Sequence, residues 1–205
     1  MDTPPTTLSD DQPQRNADDF LLEEYKYLAE SLWRNEETGE RRVNFFISLV
    51  TAVIGALVAF ATTQESALEP DIVKAVTLYA LLALFLLGFV TLQRLVKRNL
   101  VTDEYKRAMD TIRQEFKKGD PELAAYIPFK KIKPRKPGQG GLVEMVSLIN
   151  SLILAALAAI VAYPASMLVV GLGALAGLLA SLVAQRLYVQ RRYQPVPPNA
   201  SADEK

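Results

Sequence analysis

Residues 43–63, VNFFISLVTAVIGALVAFATT, decide the fold: they carry no charge and, as a helix, are long enough to cross the hydrocarbon core of a bilayer. At 100° per residue, Asn44, Ser48, Thr51, Gly55, Ala59 and Thr62 fall on one narrow face. Phe45, Ile47, Leu49, Val50, Ile54 and Val58 spread around the rest. Lipid rewards neither hydroxyls nor an amide, so the narrow face is expected to lie against protein or water through its whole depth.

Upstream, residues 1–17 are polar and proline-bearing, and are expected to form a disordered tail. From Asp18, a plausible cap, Leu21, Tyr25, Leu28 and Leu32 recur at the spacing of one helical face, opposite Glu23, Glu24, Lys26 and Glu30. This predicts an amphipathic helix over 18–42 that either continues into the membrane or bends at Gly39.

Downstream, the acidic link 64–71 leads into a second apolar block, 72–92, so that 43–92 read as a transmembrane hairpin. Residues 93–141 are basic. Tyr105, Met109, Ile112 and Phe116 share a helical face there, Gly119 suits a helix end, and Thr102 offers an alternative start for a separate helix. PELAAYI, from Pro121, suits a further short helix, and the prolines and glycines of 130–141 mark a linker. A second transmembrane hairpin is expected over 142–185, turning at Tyr163 and Pro164, with a loose tail over 186–205. The fold expected is all-α: a four-span helical bundle of two hairpins with a helical cytosolic layer.

The 23 basic and 23 acidic side chains balance in number but not in place. The acidic surplus lies before residue 41 and the basic surplus over 94–136. Opposite charge and matched apolar faces suggest that these two segments pack together on one side of the membrane. Arg41, Arg42, Arg94, Lys97, Arg98, Arg186, Arg191 and Arg192 all flank the spans on that same side, with Lys74 alone on the other. Positive residues stay inside, so both termini are expected in the cytoplasm of a multi-pass inner-membrane protein. Lys130, Lys131, Lys133, Arg135 and Lys136 are read as contacts to anionic lipid headgroups; with no aromatic platform among them, direct nucleic-acid binding is not expected.

Two further patterns concern the second hairpin. Glu144, Ser147, Asn150 and Ser151 gather within about a third of a turn at the start of the third span. Together with Asn44, Ser48, Thr51, Gly55 and Thr62 they are candidates either for lining a pore or for helix packing. Gly173, Gly177 and Ser181 make a small-xxx-small face on the fourth span, assigned to packing in an oligomer, although a contact within the hairpin is equally readable.

No catalytic residue is assigned. The chain has neither cysteine nor histidine, which removes thiolate and imidazole from metal sites and triads. Its carboxylates follow no recognisable metal or acid–base spacing, and it has no phosphate-cradling glycine loop. The protein is therefore read as a non-enzyme without cofactor or metal.

The segments EYKYLAESLWRNEETGERRVNFFISLVTAVIGALVA, residues 24–59, and YKRAMDTIRQEFKKGDPELAAYIPF, residues 105–129, resemble small multi-pass membrane proteins of bacteria. More loosely the chain looks like the SLATT group of paired-helix effectors of nucleotide-signalled antiphage systems, or like small octameric bacterial membrane proteins. The resemblance implies a homo-oligomeric effector that opens or disrupts the inner membrane when a cytosolic sensor or partner protein signals. The alternative is a non-conducting scaffold that holds a cytosolic partner at the membrane.

Overall fold

The computed structural model describes residues 11–63, 69–119, 122 and 141–193. They form four α-helices and, among the described residues, no strand: α1 (Asp11–Thr63), α2 (Pro70–Gly119), α3 (Leu142–Ala162) and α4 (Met167–Arg192). All four are long and apolar enough to cross a membrane, so the chain is a multi-pass, all-α membrane protein of four spans.

Proline spacing accounts for the length of the first two helices. No proline stands between Pro13 and Pro70, or between Pro70 and Pro121. Proline is tolerated only in the first turn of a helix, where the missing N–H has no partner to lose. α1 accordingly starts at Asp11, seven residues before the expected start at Asp18, with Pro13 in its opening turn. It runs for 53 residues, about 80 Å at 1.5 Å per residue, far more than a bilayer core needs. Gly39 does not interrupt it. α2 begins on Pro70 with Asp71 in its first turn, passes Thr102 without a break, and ends with Lys117 and Lys118 before Gly119; acid at the start and base at the end both favour the helix dipole. The expected short helix after Pro121, the linker basic residues Lys130–Lys136 and residues 1–10 lie outside the described residues.

The described residues fall into two compact units, divided after Glu37 and after Leu100. In the first, the start of α1 pairs with the end of α2. Leu28, Met109 and Ile112 are buried at the seam, and Leu21, Tyr25, Leu32, Tyr105 and Phe116 pack against them, so the two apolar faces meet. The run is antiparallel: Tyr25 meets Arg113, whereas Asn35 donates from Nδ2 to Thr102 Oγ1 at 2.9 Å. Arg113 also lies over the Tyr25 ring, 5.3 Å from its centroid. Glu36 and Lys106 form an ion pair across the seam at 3.4 Å, while Glu23–Lys26, Glu30–Arg34 and Glu115–Lys118 pair along their own helices. The pairs along each helix are largely solvated and the cross-seam pair is more than a third exposed, so the buried aliphatic groups, at about 25 cal/mol per Å² of apolar area, dominate the pairing.

In the second unit Val43, Phe46 and Val50 of α1, Leu81, Leu84, Leu92 and Leu95 of α2, and Val146, Ile153 and Leu157 of α3 share one core. α4 contributes to none of it and packs on α3 instead. Gly141 precedes α3 as its cap, with a φ of 114° that suits glycine alone, and the N–H groups of Glu144 and Met145 bond its carbonyl. α3 turns into α4 through the cis Tyr163–Pro164 bond. Lys74 Nζ donates to the carbonyl oxygen of Tyr163 at 2.8 Å, which places the one basic residue of that end against the negative terminus of α3. Arg41, Arg94, Arg186 and Arg191 belong to the opposite end, since Gly39 faces Arg98 and Phe89 meets Tyr188 there. The outward faces carry exposed Leu148, Leu152, Leu168, Leu172, Leu179 and Val183, an apolar surface suited to lipid and not to water.

Candidate functional site

The α1 stripe faces out of the unit. Asn44, Ser48, Thr51, Gly55, Ala59 and Thr62 are all exposed, and a Cβ built at Gly55 would meet nothing within 4 Å. Thr62 donates its hydroxyl to the Ala59 carbonyl at 3.0 Å, the usual way a threonine satisfies itself in an apolar helix. Asn44, Ser48 and Thr51 sit on the side of α1 away from Val43, Phe46 and Val50, which the core takes up. The stripe is therefore a polar surface at membrane depth that the chain's other described helices leave uncovered.

The α3 group is divided. Glu144 and Ser147 are half-buried near the helix start, while Asn150 and Ser151 are both completely buried. Their side chains serve different neighbours. Ser151 turns to α4, where Ser181 lies 3.0 Å from its hydroxyl oxygen. The Ser151 hydroxyl donates to the Ser147 carbonyl at 2.8 Å, so Ser181 supplies the proton between the two serines. Gln185 Nε2 donates to Ser181 Oγ at 2.6 Å and to Ser151 Oγ at 3.2 Å, closing a buried polar knot between α3 and α4. Asn150 turns instead to α2 and α1. A Cβ at Gly88 would collide with its Oδ1 and come within 2.8 Å of Phe46 Cζ.

Gly173, Gly177 and Ser181 are spent inside the chain, which corrects their assignment to oligomer packing. A Cβ at Gly173 would meet Ala162 Cβ at 3.6 Å, and one at Gly177 would meet Ala158 Cβ at 3.0 Å and the Leu154 carbonyl at 3.2 Å. The hairpin turn is short enough that α3 is the nearest surface for this face, and the absence of side chains lets the two backbones close up. The adjoining Ala176, Ala180 and Ala184 remain exposed.

Two participants escaped the reading of the sequence, and Gly39, read there as a possible bend, plays another part. Gln185 continues the Gly173, Gly177, Ser181 steps of four, so periodicity contained it. Gly88 stands alone in an apolar helix and acquires meaning only with Asn150 beside it. Gly39 is buried because the Arg98 guanidinium occupies the space a side chain there would need, and Arg98 Nη2 donates to Asn99 Oδ1 at 3.1 Å. No group of three metal-ligating side chains gathers among the described residues.

No protein-family model matches the chain, and no curated protein and no solved structure matches it either.

Proposed function

We propose that the protein is a homo-oligomeric integral membrane protein that acts as a regulated pore or membrane-perturbing effector, with the α1 stripe as the wall of its conduit. The exposure of Asn44, Ser48, Thr51 and Thr62 on one side of an otherwise lipid-suited surface carries this reading. Hydroxyl and amide groups at hydrocarbon depth gain from water or from a second polar helix and lose against acyl chains. Copies arranged with α1 inward satisfy that demand. The α3–α4 face, already filled, leaves α1 as the polar helix face open to such an arrangement. Both termini lie in the cytoplasm of the inner membrane, since the flanking arginines share one end. A cytosolic sensor or partner protein supplies the signal, and an antiphage role follows from the resemblance to SLATT-type effectors.

Ion flux from liposomes reconstituted with the full-length protein tests it, with Thr51→Leu as the diagnostic variant. Leu at this exposed position leaves the fold intact and narrows an apposed conduit, so flux is expected to fall at least tenfold while the particle mass is unchanged. Equal flux in both proteins, or a monomeric particle, overturns the assignment.

The second reading is a non-conducting scaffold. Phe20, Tyr27 and Trp33 favour it, because all three aromatic rings are exposed on the first unit, where a protein partner would bury them. Absence of flux under every condition, together with capture of a defined protein lost on Trp33→Ala, would decide for it.

A further inference from the structure

The cations of the two units keep different company. In the first unit Lys26, Arg34, Lys106 and Lys118 each pair with a carboxylate. At the arginine end of the second unit Arg94, Lys97, Arg191 and Arg192 are exposed, and none of them pairs with an acid among the described residues. Within that unit α2 and α4 bring no acid to this end at all.

The two helices run in the same direction. Lys74, near the start of α2, bonds the Tyr163 carbonyl, and α4 begins just after the same turn, at Met167. Near the arginine end they meet through Phe89 and Tyr188, whose ring centroids are 6.0 Å apart, and the Arg192 guanidinium lies over the Tyr188 ring, 5.7 Å from its centroid. On either side of this contact both helices are open. Leu82, Leu86, Phe89, Gln93 and Lys97 follow one stripe of α2, and Ala180, Ala184, Tyr188 and Arg192 recur at steps of four on α4. The two rings are half-buried and all the other side chains of both stripes are exposed. Towards the arginine end each stripe therefore passes from aliphatic, through an aromatic ring, to a cation. A phospholipid changes in the same order, from acyl chain to interface to phosphate.

Charge selects among the molecules that could lie there. A soluble anion would use the cations and leave the aliphatic stripes bare. A choline or ethanolamine lipid would cover the stripes but set a cation of its own beside the arginines. A lipid whose headgroup carries a net negative charge satisfies both parts, and arginine suits its phosphate by offering two parallel N–H donors. Basic clusters between membrane helices are a recurrent way of holding such headgroups.

We propose that the face shared by α2 and α4 binds one anionic phospholipid, with its phosphate on Lys97, Arg191 and Arg192 and an acyl chain along Leu86 and Ala184, past the Phe89–Tyr188 pair. The site lies on a different face from the α1 stripe and holds whether or not the protein conducts.

Native mass spectrometry of the full-length protein in detergent, titrated with phosphatidylglycerol or with phosphatidylcholine of the same chains, tests it. One phosphatidylglycerol per chain is expected to stay bound under conditions that strip phosphatidylcholine. Arg192→Gln is expected to weaken phosphatidylglycerol binding about fivefold, and Arg192→Lys to keep most of it. Arg186→Gln removes the same charge from the same end, but roughly 160° around α4 from Tyr188, and is expected to change binding by less than about twofold. Equal retention of the two lipids, equal losses from Arg192→Gln and Arg186→Gln, or displacement of the lipid by an equal concentration of soluble glycerophosphoglycerol each overturns the proposal. The first removes the selection by charge, the second the site, and the third the lipid.

Discussion

Gly177 and Ala158 set the distance between α3 and α4: a side chain at Gly177 would begin 3.0 Å from the Ala158 Cβ and 3.2 Å from the Leu154 carbonyl. Backbone and methyl fill the interface, so neither neighbour has a flexible end that can move aside. This is the reason the fourth span can be so apolar on its outer side and still hold a defined position on the third.

Gly177→Leu is therefore expected to force the hairpin apart and to destabilise the protein by about 1–3 kcal/mol, the usual range for overpacking a filled interface. Gly171 lies on the same helix with nothing within 4 Å of a built Cβ, so Gly171→Ala is expected to stay within about 0.5 kcal/mol of the parent. Thermal unfolding in detergent, followed by the loss of the monodisperse peak in gel filtration, separates the two. Equal midpoints would show that α3 and α4 do not touch there.

The first unit is held by carbon and not by charge. Leu28 is buried against Met109 and Ile112, whereas the Glu36–Lys106 pair is more than a third exposed on both sides. Leu28→Ala is expected to destabilise the helix pair by about 2–4 kcal/mol. Lys106→Met, which keeps the aliphatic stem, is expected to change it by less than 1 kcal/mol. Amide hydrogen exchange over residues 16–37 and 101–119 reads both. Raising the salt tenfold is expected to leave the protection of these segments in place, since screening acts on solvated charge and not on the apolar seam.

These packing relations show what periodicity makes visible and what it does not. The eight apolar residues of the first unit were readable because each helix there has one partner, so a single stripe per helix defines the contact. α3 has neighbours on several sides. Asn150 and Ser151 stand only 100° apart and were grouped as one face with Glu144 and Ser147, yet one serves α2 and the other α4. No wheel drawn for a single helix can divide them, because the division is made by the neighbours. The continuity of α1 and α2 was left open by the sequence for a different reason. The change from charged to apolar composition near Val43 and near Leu92 resembles an element boundary, but composition shifts record a change of solvent. The backbone has no reason to stop where no proline or capping glycine interrupts it. The direction in which the α1 stripe faces depends on which side the core takes, and Val43, Phe46 and Val50, at steps of three and four, determine it.

The buried knot of Ser151, Ser181 and Gln185 allows the coupling across α3 and α4 to be measured without reference to function. Ser151→Ala removes one acceptor of the Gln185 amide, and Gln185→Leu removes the donor with little change of volume. If the knot is a bonded unit, the double variant loses less than the sum of the single losses, because the second substitution has no bond left to break. Hydrogen bonds between membrane helices couple by about 0.6 kcal/mol on average and seldom by more than about 1.7 kcal/mol, since the separated helices also find polar partners. A coupling of about 0.5–1.5 kcal/mol is therefore expected from equilibrium unfolding of the four proteins in mixed micelles. Val183→Ala, at an exposed position of α4 two residues from Ser181, is expected to couple with Ser151→Ala by no more than about 0.3 kcal/mol. Strict additivity of Ser151→Ala and Gln185→Leu would mean that the second hairpin is held by the glycine–alanine contact alone.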